Sequence, residues 1–453
     1  MIFSLWLLQA SNMKSNNDNE TKSCRIPSSR FSRLINLGNM TAGIAGNVLV
    51  SATTQFAKGQ RVSIQDLVMS QANALRFVKH ISQMRGAAMK VGQLLSLEVG
   101  ELISPQASEI LSRLRNQGYS MPPSQLKKVL TKNWGPGFQK MFEDFNPYPV
   151  AAASIGQVHK CRTKKGELLA VKVQYPGIRD SIDSDIKNLM FLLKNSGLVP
   201  PFVDLESLLE AGRIQLHRET DYLREGQFLA DFSRLLTNHQ EFEVPQLNQQ
   251  LSTENVLAME FKDGITLDQA KTLTQRQRNK VVYSLMKLLF TEIFDFKVIE
   301  TDPNYANFLY DQTRDKIILL DFGATQKVSS DLCEKFRTLL KATWSDNPAA
   351  IENALYDLKI LHNSFPRDLK EVFIELFLDV TEPIRRKEVY DFEKIQIVEK
   401  IQERMEEFIT YQKTIRIPDI DILFMQRKIG GLYFLARYLK AKIDLNKILK
   451  KYL

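Results

Sequence analysis

Ile299-Glu300-Thr301-Asp302-Pro303-Asn304-Tyr305-Ala306-Asn307, followed by Asp321-Phe322-Gly323, decides how this chain is read. One aspartate, Asp302, precedes Asn307 on the first segment, and a second, Asp321, opens a tight Asp-Phe-Gly turn. Between them, Phe308-Leu309-Tyr310 and Ile317-Ile318-Leu319-Leu320 are strand-like apolar runs separated by polar residues 311–316. The pattern predicts a hairpin that holds two metal-binding groups at opposite ends of one rigid element.

This order and spacing matches a protein-kinase catalytic loop and its metal-binding turn. Asp302 stands where that pattern orients the attacking hydroxyl and takes its proton. Asn307 and Asp321 stand where it holds Mg2+ against the phosphates of ATP. Upstream, Ala151-Ala152-Ala153-Ser154-Ile155-Gly156-Gln157-Val158 overlays G-x-G-x-x-G-x-V, with Ala151 and Ala153 in place of the first two glycines. Leu169-Ala170-Val171-Lys172 then places a lysine where it bridges the α- and β-phosphates. Thr163-Lys164-Lys165-Gly166 predicts the turn between the two strands. Small residues let phosphate oxygens approach the amides around 153–156. Alanine in place of glycine also narrows the loop's freedom, so the nucleotide preference is expected to differ from that of a typical kinase. The plain alternative for Lys172 is a snorkelling strand lysine, and the alanine run taken alone reads as an ordinary hairpin. Their joint order argues against both. Val256-Leu257-Ala258 is strand-like, and Met259-Glu260-Phe261-Lys262-Asp263-Gly264 reads as a hinge whose backbone near Glu260 and Lys262 bonds adenine. An apolar-periodic helix is predicted over 275–296.

A chain of 453 residues is long enough for two structural units, and its 44% hydrophobic and 25% charged content is that of an ordinary globular protein. The net charge of +9 is uneven: residues 427–453 hold eight Lys or Arg against the single acid Asp444. No reading motif accompanies that charge, which argues against nucleic-acid binding. Cys24, Cys161 and Cys333 are too scattered for a zinc site or disulfide framework, so a reducing compartment is expected. The apolar start over 2–8 is too short for a secretory signal, and Met13, opening a polar stretch, is an alternative start. Residues 34–56 carry Gly38, Ala42 and Gly46 at four-residue spacing among several Asn, Ser and Thr. They read either as a membrane-inserting or peripheral helix or as an amphipathic soluble one. Residues 63–118 are helical in pattern, with Lys90 and Gln93 near one face and Gly92 open to a neighbouring surface.

Together these motifs resemble the UbiB/AarF family of atypical kinases, which support ubiquinone biosynthesis. The resemblance rests on Lys90-Val91-Gly92-Gln93 (K-x-G-Q), the alanine-rich loop, Lys172, Glu219-Thr220-Asp221 (E-x-D), residues 301–307 and Asp321-Phe322-Gly323, and spans about residues 30–453. Glu300 departs from the Gln or His common at the start of the catalytic-loop motif. The resemblance implies an α+β, protein-kinase-like two-lobe fold whose helical extension covers the face where a peptide substrate would bind. The expected division is a disordered 1–29, a helical extension over 30–137, a small lobe over 138–262 and a helical large lobe over 263–453. In the family, K-x-G-Q faces the nucleotide site and opposes ordinary protein phosphorylation.

Several further expectations follow from that resemblance. Lys90 pairs with Glu219 and Lys172 with Glu225, on a helix over 216–232 that also carries Asp221; a solvated acidic face is the alternative. The cofactors are ATP and Mg2+. The partners are anionic membrane lipid, a quinone-precursor lipid and other ubiquinone-biosynthesis proteins, and a homodimer is compatible. The basic segment from Lys428 either meets anionic lipid or packs as a solvated helix on the large lobe. No Ala-Pro-Glu motif follows Asp321, which weighs against a conventional protein kinase. A membrane-associated ATPase or small-molecule kinase is expected, with a nucleotide-responsive scaffold of little turnover as the alternative. The start of the chain lacks a transit-type leader, so the cytoplasmic face of a bacterial inner membrane is expected, with the matrix side of the mitochondrial inner membrane as the alternative.

Overall fold

The computed structural model describes residues 86–92, 120–196, 199, 204–394 and 418–453, together with 396, 399–400, 403–404 and 410–411. The readings on 1–29, on 34–56, on Gln93 and on most of 63–118 lie outside the described residues. The described chain forms two compact units, and it crosses between them after Arg224, Gln246 and Phe261.

The first unit is built on an antiparallel sheet. Helix α1 (Pro123–Trp134) begins with proline at its first position, where the missing N–H would have no helical partner, and ends at Gly135 with φ of 84°. Strands β1 (Phe142–Phe145), β2 (Ala151–Ala152), β3 (Gly156–Thr163) and β4 (Leu168–Gln174) follow. Then come helices α2 (Ile178–Ser196), α3 (Leu205–Glu219) and α4 (Tyr222–Leu235), the last of which runs on into the second unit. Strand β5 (Phe242–Glu243) belongs to the second unit, and β6 (Val256–Glu260) returns to the first. The sheet order is β1-β3-β4-β6, with β2 paired to β3. Strand β4 is buried along six of its seven residues, as a central strand covered on both faces must be. At the β1 edge of the sheet Trp134, Phe138, Phe142 and Phe145 pack ring against ring, and the Trp134 indole N–H donates to the Leu251 carbonyl at 2.9 Å.

The single helix expected over 216–232 is broken. Thr220 ends α3, and the Asp221 side chain accepts from the Arg224 N–H at 3.0 Å, starting α4 as a capping aspartate does. The physical reason lies in the residue types. Thr and Asp compete for backbone hydrogen bonds, so this dipeptide favours a boundary over a helix interior.

The second unit is mainly helical. Its small sheet runs β5-β10-β9-β7, from β7 (Ile265–Thr266), β9 (Phe308–Asp311) and β10 (Lys316–Leu319). Helix α5 (Gln275–Thr291) opens with a reciprocal capping box between Thr274 and Gln277. It widens into a π-helical turn, Glu292–Phe296, which ends at Lys297 in the left-handed region. Strand β8 (Val298–Glu300) then pairs with β11 (Thr325–Lys327). Helices α6 (Ser330–Trp344), α7 (Pro348–Asp357) and α8 (Arg367–Arg385) lead to β12 (Tyr390–Asp391). Helix α9 (Ile420–Tyr438), β13 (Lys442–Ile443) and the short α10 (Asn446–Leu449) follow.

Helix α9 is buried on nearly every side from Ile422 to Ala436, as a helix at the centre of a unit must be. This corrects the reading of the basic segment at Lys428 alone: it is 2% exposed and faces neither lipid nor solvent, while Lys440, Lys442, Lys447, Lys450 and Lys451 stay exposed. Beyond it, Arg437 pairs with Glu399, Lys440 with Glu393, Lys442 with Asp391 and Lys451 with Asp295. Much of the apparent positive patch is therefore neutralised within the fold. Among the described residues no helix is long and apolar enough to cross a membrane.

Candidate functional site

In the first unit the alanine-rich segment is a tight hairpin. Ala151 faces Val158 and Ala152 faces Gln157 across β2 and β3, while the Ala153 N–H donates to the Gly156 carbonyl at 2.9 Å. The Ala153 amide is thus already bonded inside the turn, which removes it from the set expected to cap phosphates. Ala151 and Ala152 are exposed, Ser154 is half-buried, and Ile155 is buried with its carbonyl accepting from the Tyr175 N–H at 2.9 Å. Gly156 is required by sterics: a Cβ there would strike the Val173 carbonyl and come within 2.9 Å of the Tyr222 hydroxyl. The helical residues 86–92 lie against this hairpin. A Cβ on Gly86 would stand 3.0 Å from the Ile155 side chain and 3.4 Å from the Ser154 carbonyl.

One carboxylate joins the two pieces. Lys90 Nζ meets Glu219 Oε1 at 2.5 Å, and the Ser154 hydroxyl donates to Glu219 Oε2 at 2.8 Å. Lys90 is 1% exposed, so its charge is held by this pair rather than by water. The expected Lys90–Glu219 partnership is therefore present, and Ser154 ties the loop into it. Lys172 lies mid-sheet, opposite Val158 on one side and Leu257 on the other, with its Nζ 5.2 Å from the centre of the Tyr222 ring. Glu225 is buried on α4, one turn beyond Tyr222. At the end of β6, Glu260 faces Leu169, and the Phe261 N–H donates to the Leu168 carbonyl at 2.9 Å. In the second unit Lys262 pairs with Glu243 at 2.5 Å, which Arg314 also engages at 2.8 Å. The Lys262 ammonium is thus directed to Glu243.

The expected hairpin over 308–319 is present as β9 and β10, in register from Phe308 opposite Leu319 to Asp311 opposite Lys316. At its mouth the Leu320 N–H donates to the Asn307 carbonyl at 3.0 Å, drawing the catalytic-loop segment and the Asp321 turn together. Asn304 caps the single turn 305–307 by accepting from the Ala306 N–H. Asn307 Nδ2 points back at the Asp302 carbonyl, 3.4 Å away. The Gly323 N–H holds Asp321 Oδ1 at 2.9 Å. Thr301 donates to the Ala324 carbonyl at 2.8 Å, and β8 pairs with β11 beside it. Phe322 is buried against Phe232, with ring centres 4.9 Å apart. Asp302, Asn307 and Asp321 all remain half-buried and reachable.

Among the described residues no cluster of three or more His, Cys, Asp or Glu forms a ready-made metal cage. A carboxylate and an amide oxygen, each with its other atom held by backbone, instead suit a hard cation that completes its shell with phosphate oxygens and water.

Sequence reasoning missed the burial of Lys428. Glu300, the residue that departs from the family pattern, accepts the Asp302 N–H on Oε1 at 2.5 Å and the Lys428 ammonium on Oε2 at 3.1 Å. Glu292 Oε2 lies 3.7 Å from the same ammonium. Burial pushes the Glu300 carboxyl up to about 8 and that of Glu292 up to about 7, against the pull of Lys428. Lys428-Ile429-Gly430-Gly431, a lysine beside two glycines in a helix, was the available signal.

Comparison with known proteins agrees with the motifs. The ABC1 atypical kinase-like domain matches residues 113–355. "Atypical kinase COQ8, mitochondrial" of Saccharomyces cerevisiae is 34% identical over 433 residues, covering 95% of this chain and 86% of that protein. "Atypical kinase COQ8B, mitochondrial" of Rattus norvegicus is 34% identical over 92% of this chain and 79% of its own length. "Atypical kinase COQ8, mitochondrial" of Schizosaccharomyces pombe is 35% identical over 94% of this chain and 70% of its own length. The solved complex of Rv3197 with erythromycin from Mycobacterium tuberculosis has a TM-score of 0.56 at 21% identity, covers 85% of this chain and 96% of that one, and supports the fold alone. With the α+β kinase-like architecture and the K-x-G-Q lysine on its expected glutamate, the chain belongs to the UbiB/AarF (ABC1) family of atypical kinases.

Proposed function

We propose that this protein binds Mg-ATP and acts as an atypical kinase or ATP hydrolase supporting ubiquinone biosynthesis at a membrane. The observation that carries this reading is the hairpin that brings Asp302, Asn307 and Asp321 to its mouth, with Asn307 and Asp321 each oriented by backbone hydrogen bonds. In this reading Asn307 and Asp321 supply oxygen ligands to Mg2+, which neutralises charge on the phosphates when bound. Asp302 orients the acceptor hydroxyl, or water, and takes its proton as the new bond to the γ-phosphorus forms and ADP leaves with the bridging oxygen. Lys172 contacts the α- and β-phosphates, pairing with Glu225. The 151–158 hairpin, with Ser154, Ile155 and Gly156 at its turn, covers the phosphates, and backbone at Glu260 and Lys262 receives adenine. Lys90, through Glu219 and its bond from Ser154, restrains the hairpin.

The relatives' names favour the mitochondrial alternative over a bacterial membrane, so the proposed location is the matrix side of the inner mitochondrial membrane. The proposed partners are anionic lipid, a quinone-precursor lipid and other proteins of the pathway. The deciding experiment is phosphate release from Mg-ATP by purified protein, with and without anionic liposomes, using Asp321→Asn as the blank. Lipid-stimulated turnover that vanishes in Asp321→Asn is the expected result. Tight nucleotide binding without turnover in either condition rejects the enzyme in favour of a scaffold.

A further inference from the structure

The catalytic-loop segment 301–307 is gripped on both sides of Asp302 by one helix, α9. On the N-terminal side, Glu300 is 5% exposed and bonds the Asp302 N–H with one oxygen and Lys428 with the other. On the C-terminal side, Gly431 lies so close to Pro303 that a Cβ there would overlap the proline ring. Lys428 and Gly431 are one helical turn apart, so they present neighbouring points of one face to the loop. The Lys428 ammonium also stands 5.5 Å from the centre of the Phe308 ring, at the start of the strand that follows the loop.

We propose that Lys428 is a positioning residue for the reaction: from α9 it fixes the Glu300 carboxylate, and through it the backbone at Asp302. The inference rests on the phosphoryl-transfer reading of Asp302 given above. A lysine that served only to dock the helix would need no carboxylate shared with the loop. Here the carboxyl group that bonds the ammonium is the one that accepts the Asp302 N–H, so displacing Lys428 frees that side chain to leave the amide. Glu292, on the turn before β8, adds a second carboxylate to the same ammonium and is itself bonded by the Glu300 N–H. The ammonium therefore sits where three points of the loop's approach converge. Nothing in the chain order hints at this, since 128 residues separate Lys428 from Glu300.

The test measures two things on the full chain: hydrogen–deuterium exchange at the Asp302 amide, and ATP turnover with KM. In Lys428→Met the Asp302 amide should exchange about tenfold faster while amides of β3 and β4 keep their protection. Its kcat should fall on the order of 10²-fold, with KM for ATP unchanged, as expected when a reacting group is misplaced rather than a substrate lost. In the double variant Glu300→Gln with Lys428→Met, the side-chain oxygen can still accept the Asp302 N–H with no cation required, and both readouts should recover in part. Gly431→Ala, which presses on Pro303 without touching charge, should also loosen the Asp302 amide, and it decides the matter if Lys428→Met does not fold. An unchanged Asp302 exchange rate in folded Lys428→Met, or otherwise in Gly431→Ala, overturns the proposal. Wild-type protein without turnover overturns the enzyme reading instead, and the exchange measurement still decides the positioning role.

Discussion

The alanine-rich hairpin and the catalytic loop are held by the same device, built twice from different parts. In the first unit a buried lysine, Lys90, takes one oxygen of Glu219 while the other oxygen takes the Ser154 hydroxyl. In the second, buried Lys428 takes one oxygen of Glu300 while the other takes the Asp302 N–H. Each time a helix steadies a loop through a carboxylate that faces both ways. The difference lies in what is held. Through Glu219, Lys90 reaches a side chain; Lys428, between Glu292 and Glu300, reaches backbone. Backbone cannot rotate out of the way, so the second device is the more rigid.

The sharpest way to break this comparison is to measure what each loop contributes to turnover. Asp321→Asn, at the mouth of the hairpin that also carries Asn307, should lower kcat on the order of 10³-fold. Ser154→Ala should lower it by less than about tenfold, because a single neutral hydrogen bond to the hairpin is lost. Equal losses in a phosphate-release assay would contradict the ranking. A second measurement concerns stability. Lys90→Met leaves the Glu219 carboxylate buried without its cation and should cost about 3–5 kcal/mol in denaturant unfolding. Adding Glu219→Gln should return most of that loss, since no uncompensated charge then remains. A double variant no more stable than Lys90→Met would show that the pair does not act as a unit.

Smaller effects sharpen the picture further. Gly156→Ala forces a methyl against the Val173 carbonyl and should destabilise the protein by about 1–3 kcal/mol. An unchanged unfolding midpoint would mean that the hairpin yields. The pH response belongs to the Lys428 cluster. Burial raises both Glu292 and Glu300 above the ordinary carboxylate range, to about 7 and about 8. The folded protein then binds more protons than the unfolded chain across that window. Stability should fall as pH rises from about 5 through 8, by at most about 1.4 kcal/mol per pH unit for each proton involved. Glu292→Gln removes one of the two carboxylates and should flatten the thermal-melting profile over that range; an identical slope would remove the cluster as its source.

The sequence was most legible where chemistry and periodicity coincide. The β9–β10 hairpin showed itself as apolar runs around a polar turn, and Lys172 as a lysine on a strand following a small-residue loop. The Lys90–Glu219 pair was expected from the resemblance, because both residues lie within its named motifs. The break at Thr220-Asp221 was missed because only capping chemistry marks the boundary. The fate of Lys428 was missed for a different reason. A lysine-rich segment reads as solvated, and nothing local reveals that two glutamates far back in the chain will bury this lysine. Glu300 is the instructive residue: it stood out as a departure from pattern, and the departure turned out to have a partner.

Because Glu300 and Lys428 are 128 residues apart, the loop around Asp302 cannot be completed in the order in which it is made. During synthesis the strands and the β9–β10 hairpin emerge first and have the opportunity to fold. The ammonium that locks Glu300 arrives only when α9 has left the ribosome. A nascent or truncated chain ending before residue 428 would carry every signature motif and still lack this closing contact, so translation itself acts as the timer for this part of the protein.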